Sequence, residues 1–132
     1  MAEPITTATS IYIVRPDGII VQRVMPGARQ ELKDAQENMD VFLRLAAGRK
    51  SLLLVDLRES GPTGPGVREL YAKHSDQLLA SALIVGSSLS QMIGNFFLNL
   101  NRPPSPCRLF TDEAPALFWL RTHAPGARAS TG

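Results

Sequence analysis

Leu52-Leu53-Leu54-Val55-Asp56-Leu57-Arg58-Glu59-Ser60-Gly61-Pro62-Thr63-Gly64-Pro65-Gly66 is the stretch that decides the fold. Its first four residues form an unbroken apolar run, the pattern of a central strand covered on both faces. Gly, Pro and hydroxyl residues follow, and a helical pattern begins at Val67, with Leu70, Tyr71 and His74 on one side. Strand, loop and helix in that order make the repeating unit of an open α/β sheet. Ligands and partners of such sheets collect at the carboxyl ends of the strands.

The chain reads outward from this unit in both directions. Toward the C-terminus, Ala82-Leu83-Ile84-Val85 is a second buried strand ending at Gly86-Ser87-Ser88. A helix then carries Leu89, Met92, Ile93, Phe96, Phe97 and Leu100, a broad apolar face. Prolines at 103, 104 and 106 end helical structure there, because proline lacks a donor and restricts its predecessor. Cys107–Phe110 reads as a short last strand. Thr111 or Asp112 caps a final helix that tolerates Pro115 in its first turn and packs through Ala116, Leu117, Trp119 and Leu120. The segment from 124 to 132 is a flexible tail of small residues.

Toward the N-terminus, Leu32, Ala35, Met39, Phe42 and Ala46 recur at helical spacing, with Lys33, Glu37, Asp40 and Arg44 opposite and Gly48 as the stop. Residues 11–14 and 18–24 read as strands joined through Pro16-Asp17-Gly18, a β-hairpin. Residues 1–9 are small and polar and read as a flexible N-terminus. The expectation is a single α/β domain over residues 10–123. Its mixed, mostly parallel five-stranded sheet opens with the N-terminal hairpin and carries about four helices.

Composition narrows the function. At 132 residues the chain can hold a core without disulfide or metal support. Its 44% hydrophobic and 20% charged residues are ordinary for a globular domain. The net charge of +2 is small, and Arg15, Arg23, Lys33, Arg44, Arg68 and Arg108 form no tract, which speaks against nucleic acid. Cys107 is the lone cysteine and reads as a core residue; His74 and His123 stand far apart in sequence, so no metal site is expected. The N-terminus lacks the flank and apolar segment of a signal peptide, and no apolar run approaches ~18 residues. A cytoplasmic protein without a membrane span is the expectation.

The residues from Ala82 to Leu98, with Asn101-Arg102-Pro103-Pro104, Arg108-Leu109-Phe110-Thr111 and Ala116-Leu117-Phe118-Trp119-Leu120, resemble the small bacterial STAS/SEC14-like (SpoIIAA-like) proteins. The likeness covers residues 10–122, and its specific part is the C-terminal half. It implies a compact α/β domain of a kind with no assigned enzymatic activity; no enzyme and no cofactor are expected. On the STAS side it implies binding of a protein partner, with exchange governed by a phosphorylatable serine after a strand ending in Asp-Leu. Asp56-Leu57 matches that strand end, but the Asp-Ser-x-Gly signature is absent and Thr63-Gly64-Pro65-Gly66 stands in its region. Thr63 and Ser60 are the remaining candidate phosphoacceptors; as hydroxyls beside a helix start they equally suit turn and cap bonds. On the SEC14 side the likeness implies a cavity for an apolar or lipid-like ligand between sheet and helices.

Two kinds of site follow. If the later strands are parallel, their carboxyl ends gather Arg58, Ser60, Thr63, Ser87, Ser88 and Asp112 on one rim, the candidate partner-binding surface. Ser88 is also the expected N-cap of its helix. Met92, Phe96, Phe97 and Trp119 are the candidate lining of an apolar ligand pocket, although apolar residues at helical spacing usually form core. Asp56, Ser60 and His74 supply the residue types of a hydrolase triad without the GxSxG elbow, so no catalytic residue is assigned. The leading expectation is a non-catalytic regulatory or protein-interaction module; an apolar small-molecule carrier or sensor is the alternative, and a homodimer stays open.

Overall fold

The computed structural model describes residues 3–100 and 105–125, with the backbone alone at 94 and 96–100. The non-helical connection expected at 101–104, the tail beyond 125 and the side chains of Phe96 and Phe97 lie outside the described residues.

Strands β1 (Ile5–Thr6), β2 (Ser10–Val14), β3 (Ile20–Val24), β4 (Ser51–Asp56), β5 (Leu78–Ile84) and β6 (Cys107–Phe110) form one sheet in sequence order. The first three pair antiparallel and β3 through β6 pair parallel. Helices α1 (Leu32–Ala46), α2 (Val67–Lys73) and α3 (Ser88–Leu100) connect the parallel strands, and α4 (Glu113–Arg121) follows β6. Crossovers of one hand between strands added in one direction place every connecting helix on the same side. α4 packs on β4, β5 and β6 from the opposite side.

Side-chain alternation along β4 serves both layers. Leu52 and Leu54 join Val21, Ala82 and Ile84 against Ala116, Leu117 and Leu120 of α4. Leu53 turns to the other face, beside Tyr12, Ile20, Met39 and Phe42 under α1, and Val55 packs with Leu83 and Ile93 near α3. Leu54 is fully buried, which stabilises the fold by about 1.5–3 kcal/mol relative to leaving it exposed. The apolar run at 52–55 is thus the two-faced central strand that its sequence announced.

The hairpin turn forms as its residues require. Gly18 takes φ 88°, and its N–H donates to the Arg15 carbonyl at 2.9 Å. The Asp17 carboxylate accepts from the Ile19 N–H at 3.2 Å and pairs with Arg15, also at 3.2 Å.

Several boundaries differ from expectation. The sheet has six strands rather than five, because Ile5 and Thr6 pair with Tyr12 and Ile11. Residues 1–9 read as flexible, yet Thr7 and Thr9 are buried, and the Thr9 carbonyl accepts from Met25 N–H at 2.8 Å. Their attachment depends on groups distant in sequence, so local composition gives no sign of it. α2 ends at Lys73 and is followed by a single 3-10 turn, Ser75–Gln77. Leu32, assigned to the apolar stripe of α1, is 42% exposed, its side chain lying by Gly66 at the start of α2.

Candidate functional site

The carboxyl ends of the parallel strands do meet on one rim, and a chain of ion pairs holds it. Asp56, the last residue of β4, receives Arg23 Nη1 at 3.1 Å and Arg58 Nη2 at 2.8 Å on the same oxygen. Arg58 Nε reaches the other oxygen at 3.0 Å, so this contact is bidentate. Arg23 also pairs with Glu113 in the first turn of α4 at 2.9 Å. Partial burial opposes ionisation of Asp56, but the Arg58 hydrogen bonds and the charges of Arg58 and Arg23 outweigh it. The carboxyl is held below its ordinary pKa. Arg58 is correspondingly pushed up by its bond to Asp56 and by the charges of Asp56, Glu113 and Asp112.

The 86–88 turn lies against Arg58: a Cβ on Gly86 would stand 3.2 Å from Arg58 Cγ. Ser87, rather than Ser88, caps α3. Its hydroxyl accepts the Ser90 N–H at 3.0 Å, while Ser90 Oγ accepts the Ser87 and Gly86 N–H groups, each at 2.9 Å. The cap falls one residue earlier than expected, where Ser87 and Ser90, three positions apart, bond to each other's backbone N–H in the manner of a capping box. Ser88 is the first helical residue and is exposed. Asp112 occupies the N-cap position of α4 in extended conformation, without a side-chain cap bond. An open cleft of about 400 Å³ lies beside it, bounded by Gln91, Asn95, Leu109 and Pro115.

Ser60 and Thr63 are not presented with Arg58. The 59–64 loop is stitched to the loop after β3: Gly27 donates to the Glu59 carbonyl at 2.7 Å, Gly61 to Ala28 at 2.9 Å, and Gln30 to Pro62 at 3.0 Å. Gly61 is required there, since a Cβ would stand 2.5 Å from the Gly27 carbonyl oxygen. Ser60 is 6% exposed and donates to the Gly61 carbonyl at 2.9 Å. Thr63 is half-buried in a parallel bridge with Gln30, and Gly66 at φ 83° is the N-cap of α2. The helix start therefore lies three residues beyond Thr63. Asp56, Ser60 and His74 are likewise separated in role: Asp56 binds two arginines, Ser60 bonds to Gly61, and His74 caps the far end of α2.

The grouping of Met92, Phe96, Phe97 and Trp119 does not hold as one pocket. Met92 is 52% exposed on α3, whereas Trp119 lies across the sheet on α4, against Phe110 and His123 at ring-centroid distances of 5.7 and 4.6 Å. Helical spacing alone could not show that α3 and α4 lie on opposite faces.

With this geometry in view, the comparison with known families is decisive at one level. A family described as a domain of unknown function, DUF7793, matches residues 12–124. The chain belongs to the DUF7793 family. No curated protein matches it. Among solved structures it is similar to an uncharacterised DUF3478 protein with a SpoIIAA-like fold from Shewanella loihica PV-4. That match has 16% identity and a TM-score of 0.65, covering 91% of this chain and 98% of the other. A protein of unknown function from Arthrobacter sp. FB24 aligns at 27% identity with a TM-score of 0.30, over 83% of this chain and 90% of the other. The SpoIIAA-like resemblance read from the sequence is thus shown for the fold. No helix among the described residues of this DUF7793 domain is long and apolar enough to cross a membrane.

The DUF7793 domain has a cavity of about 70 Å³ between the sheet and helices α1 and α2, lined by residues other than the Met92, Phe96, Phe97 and Trp119 expected from the sequence. A buried polar network borders it. Asn38 of α1 is fully buried; its Oδ1 accepts from Thr7 Oγ1 at 2.6 Å, and its Nδ2 donates to Thr9 Oγ1 at 3.0 Å and to Gln30 Oε1 at 3.3 Å. Tyr71 OH donates to the same Gln30 oxygen at 2.6 Å. Burial pushes the Tyr71 hydroxyl up to about 12 and raises Tyr12 further, so both act as neutral phenols. One sequence signal was available: Asn38 falls on the Ala35–Met39–Phe42 stripe, where an apolar residue belongs.

Proposed function

We propose that this domain is a non-catalytic regulatory module that binds a protein partner through the rim of Arg58, Ser87, Ser88 and Asp112. The observation that carries this reading is the ion-paired base beneath the rim. Asp56 and Arg23 fix Arg58 and the start of α4, while Arg58, Ser87, Ser88 and Asp112 stay exposed and Asp112 borders an open cleft. A rigid, mixed-charge surface with exposed hydroxyls suits a partner segment of complementary charge, because such patterns govern encounter and register. The SpoIIAA-like fold adds an analogy with partner-binding STAS domains. A phosphoswitch at Ser60 or Thr63 has less support, given the burial of Ser60 and the backbone bridge at Thr63.

A photo-crosslinking residue in place of Ser88, introduced in the protein's own host cells, tests the reading. A discrete protein adduct is expected, lost or sharply weakened by Arg58→Glu and missing when the crosslinker replaces exposed Lys33 on α1. Equal adduct yields at both positions, or none at Ser88, would overturn it.

A further inference from the structure

The cavity between the sheet and α1–α2 has a wall that the fold leaves unfinished. Ser81 projects from β5 into it, is 2% exposed, and its hydroxyl makes no hydrogen bond. A buried hydroxyl left unpaired is destabilising, so such an atom in a native core calls for an occupant that the protein itself does not supply. Neighbouring polar groups, by contrast, are engaged: Asn38, Gln30 and Tyr71 bond to one another and to Thr9. The remaining wall is largely apolar, with Leu53, Leu83, Met39 and Phe42 prominent, and it also includes Gln22, which donates to Ser10, and His74 at the end of α2. No carboxylate, lysine or arginine lines the cavity among the described residues.

We propose that this cavity is a binding site for a small uncharged molecule with a compact apolar body and one carbonyl or hydroxyl end, which accepts the Ser81 hydroxyl. An uncharged ligand suits the lining, which offers no carboxylate to a cation and no lysine or arginine to an anion, His74 and the two tyrosines being its titratable side chains. Size is limited too. One water needs roughly 10–15 Å³ of such space, so about 70 Å³ admits a compact body of about five non-hydrogen atoms. The site is separate from the rim and does not depend on the partner-binding reading. It also moves the small-molecule alternative from the neighbourhood of Met92, Phe96, Phe97 and Trp119 to the space under α1 and α2.

Isobutanol and 2-butanone, titrated into the isotopically labelled full chain and followed by NMR, test the proposal. Saturable shifts confined to Leu53, Ser81, Leu83, Asn38 and Tyr71 are expected. Ser81→Ala removes an unbonded hydroxyl, so the variant should fold with unchanged or slightly higher Tm. It should bind both probes about three- to tenfold more weakly. Cyclopentane, which lacks the polar end, should bind both proteins equally. Leu53→Phe should abolish binding by filling the space. Linear shifts without saturation, equal affinity in Ser81→Ala, or a crystal structure in which ordered waters on Ser81 Oγ resist displacement by either probe would overturn the site and assign the cavity to structural water alone.

Discussion

Asp56 carries more of the rim than any other single residue. Its carboxylate takes two guanidiniums at 3.1 and 2.8 Å, and its side chain is only 14% exposed, so these contacts are less screened than ordinary surface pairs. Its pKa is lowered in the folded state, mainly by Arg58 acting against the effect of burial. The stabilisation is therefore fully present above the unfolded carboxyl value of about 3.9 and is lost as pH falls through the lower folded value. Asp56→Asn should be less stable than the parent protein at pH 7, and the gap between the two should narrow below about pH 4. Urea denaturation at pH 7 and pH 3 measures it; a constant gap would contradict the coupling. The sequence marked Asp56 as a strand end and Arg58 as a rim residue, but Arg23 and Glu113 lie 33 and 57 positions away from Asp56 and could not be linked to it by spacing.

Helix termini show where local sequence is informative and where it falls short. The hydroxyl-rich turn before α3 announced a cap, yet Ser87 and Ser88 are equivalent candidates by composition. The reciprocal pair with Ser90 decides between them. Ser87→Ala should destabilise the domain by about 1 kcal/mol, whereas Ser88→Ala should have little effect. Chemical denaturation distinguishes the two, and amide exchange at Ser90 should quicken in Ser87→Ala. α2 teaches the opposite lesson. Its Gly66 start depends on how the preceding loop is stitched to residues 27–30, so Thr63, the residue that looked best placed, is three positions short of the helix.

At the scale of the molecule, the two layers of helices stand on a sheet whose order follows the chain, and the edge is completed by a segment that sequence reading set aside. Thr7 and Thr9 meet Asn38 at 2.6 and 3.0 Å across roughly thirty residues of chain, and β1 extends the hairpin. Removing residues 1–9 should leave Asn38 short of partners inside the core, destabilising the protein by about 2–4 kcal/mol and lowering Tm by roughly 10 °C or more. A thermal melt of the truncated chain measures this; an unchanged Tm would show that the edge contributes nothing.

Elements and class were legible in the sequence because periodicity is a local property: period two or unbroken apolar runs for strands, three-and-four spacing for helices, Gly and Pro between them. The alternation of strand and helix implied the parallel sheet and its working edge, and the likeness in residues 82–120 indicated the SpoIIAA-like fold. Tertiary structure alone decided which faces meet. It placed Met92 and Trp119 on opposite sides of the sheet, turned Ser60 inward, paired Arg23 with Asp56 and Glu113, and left Ser81 facing a space that no side chain fills. Those outcomes depend on contacts between residues distant in the chain, whose energies are settled by packing and by the pairing of buried polar groups rather than by local pattern.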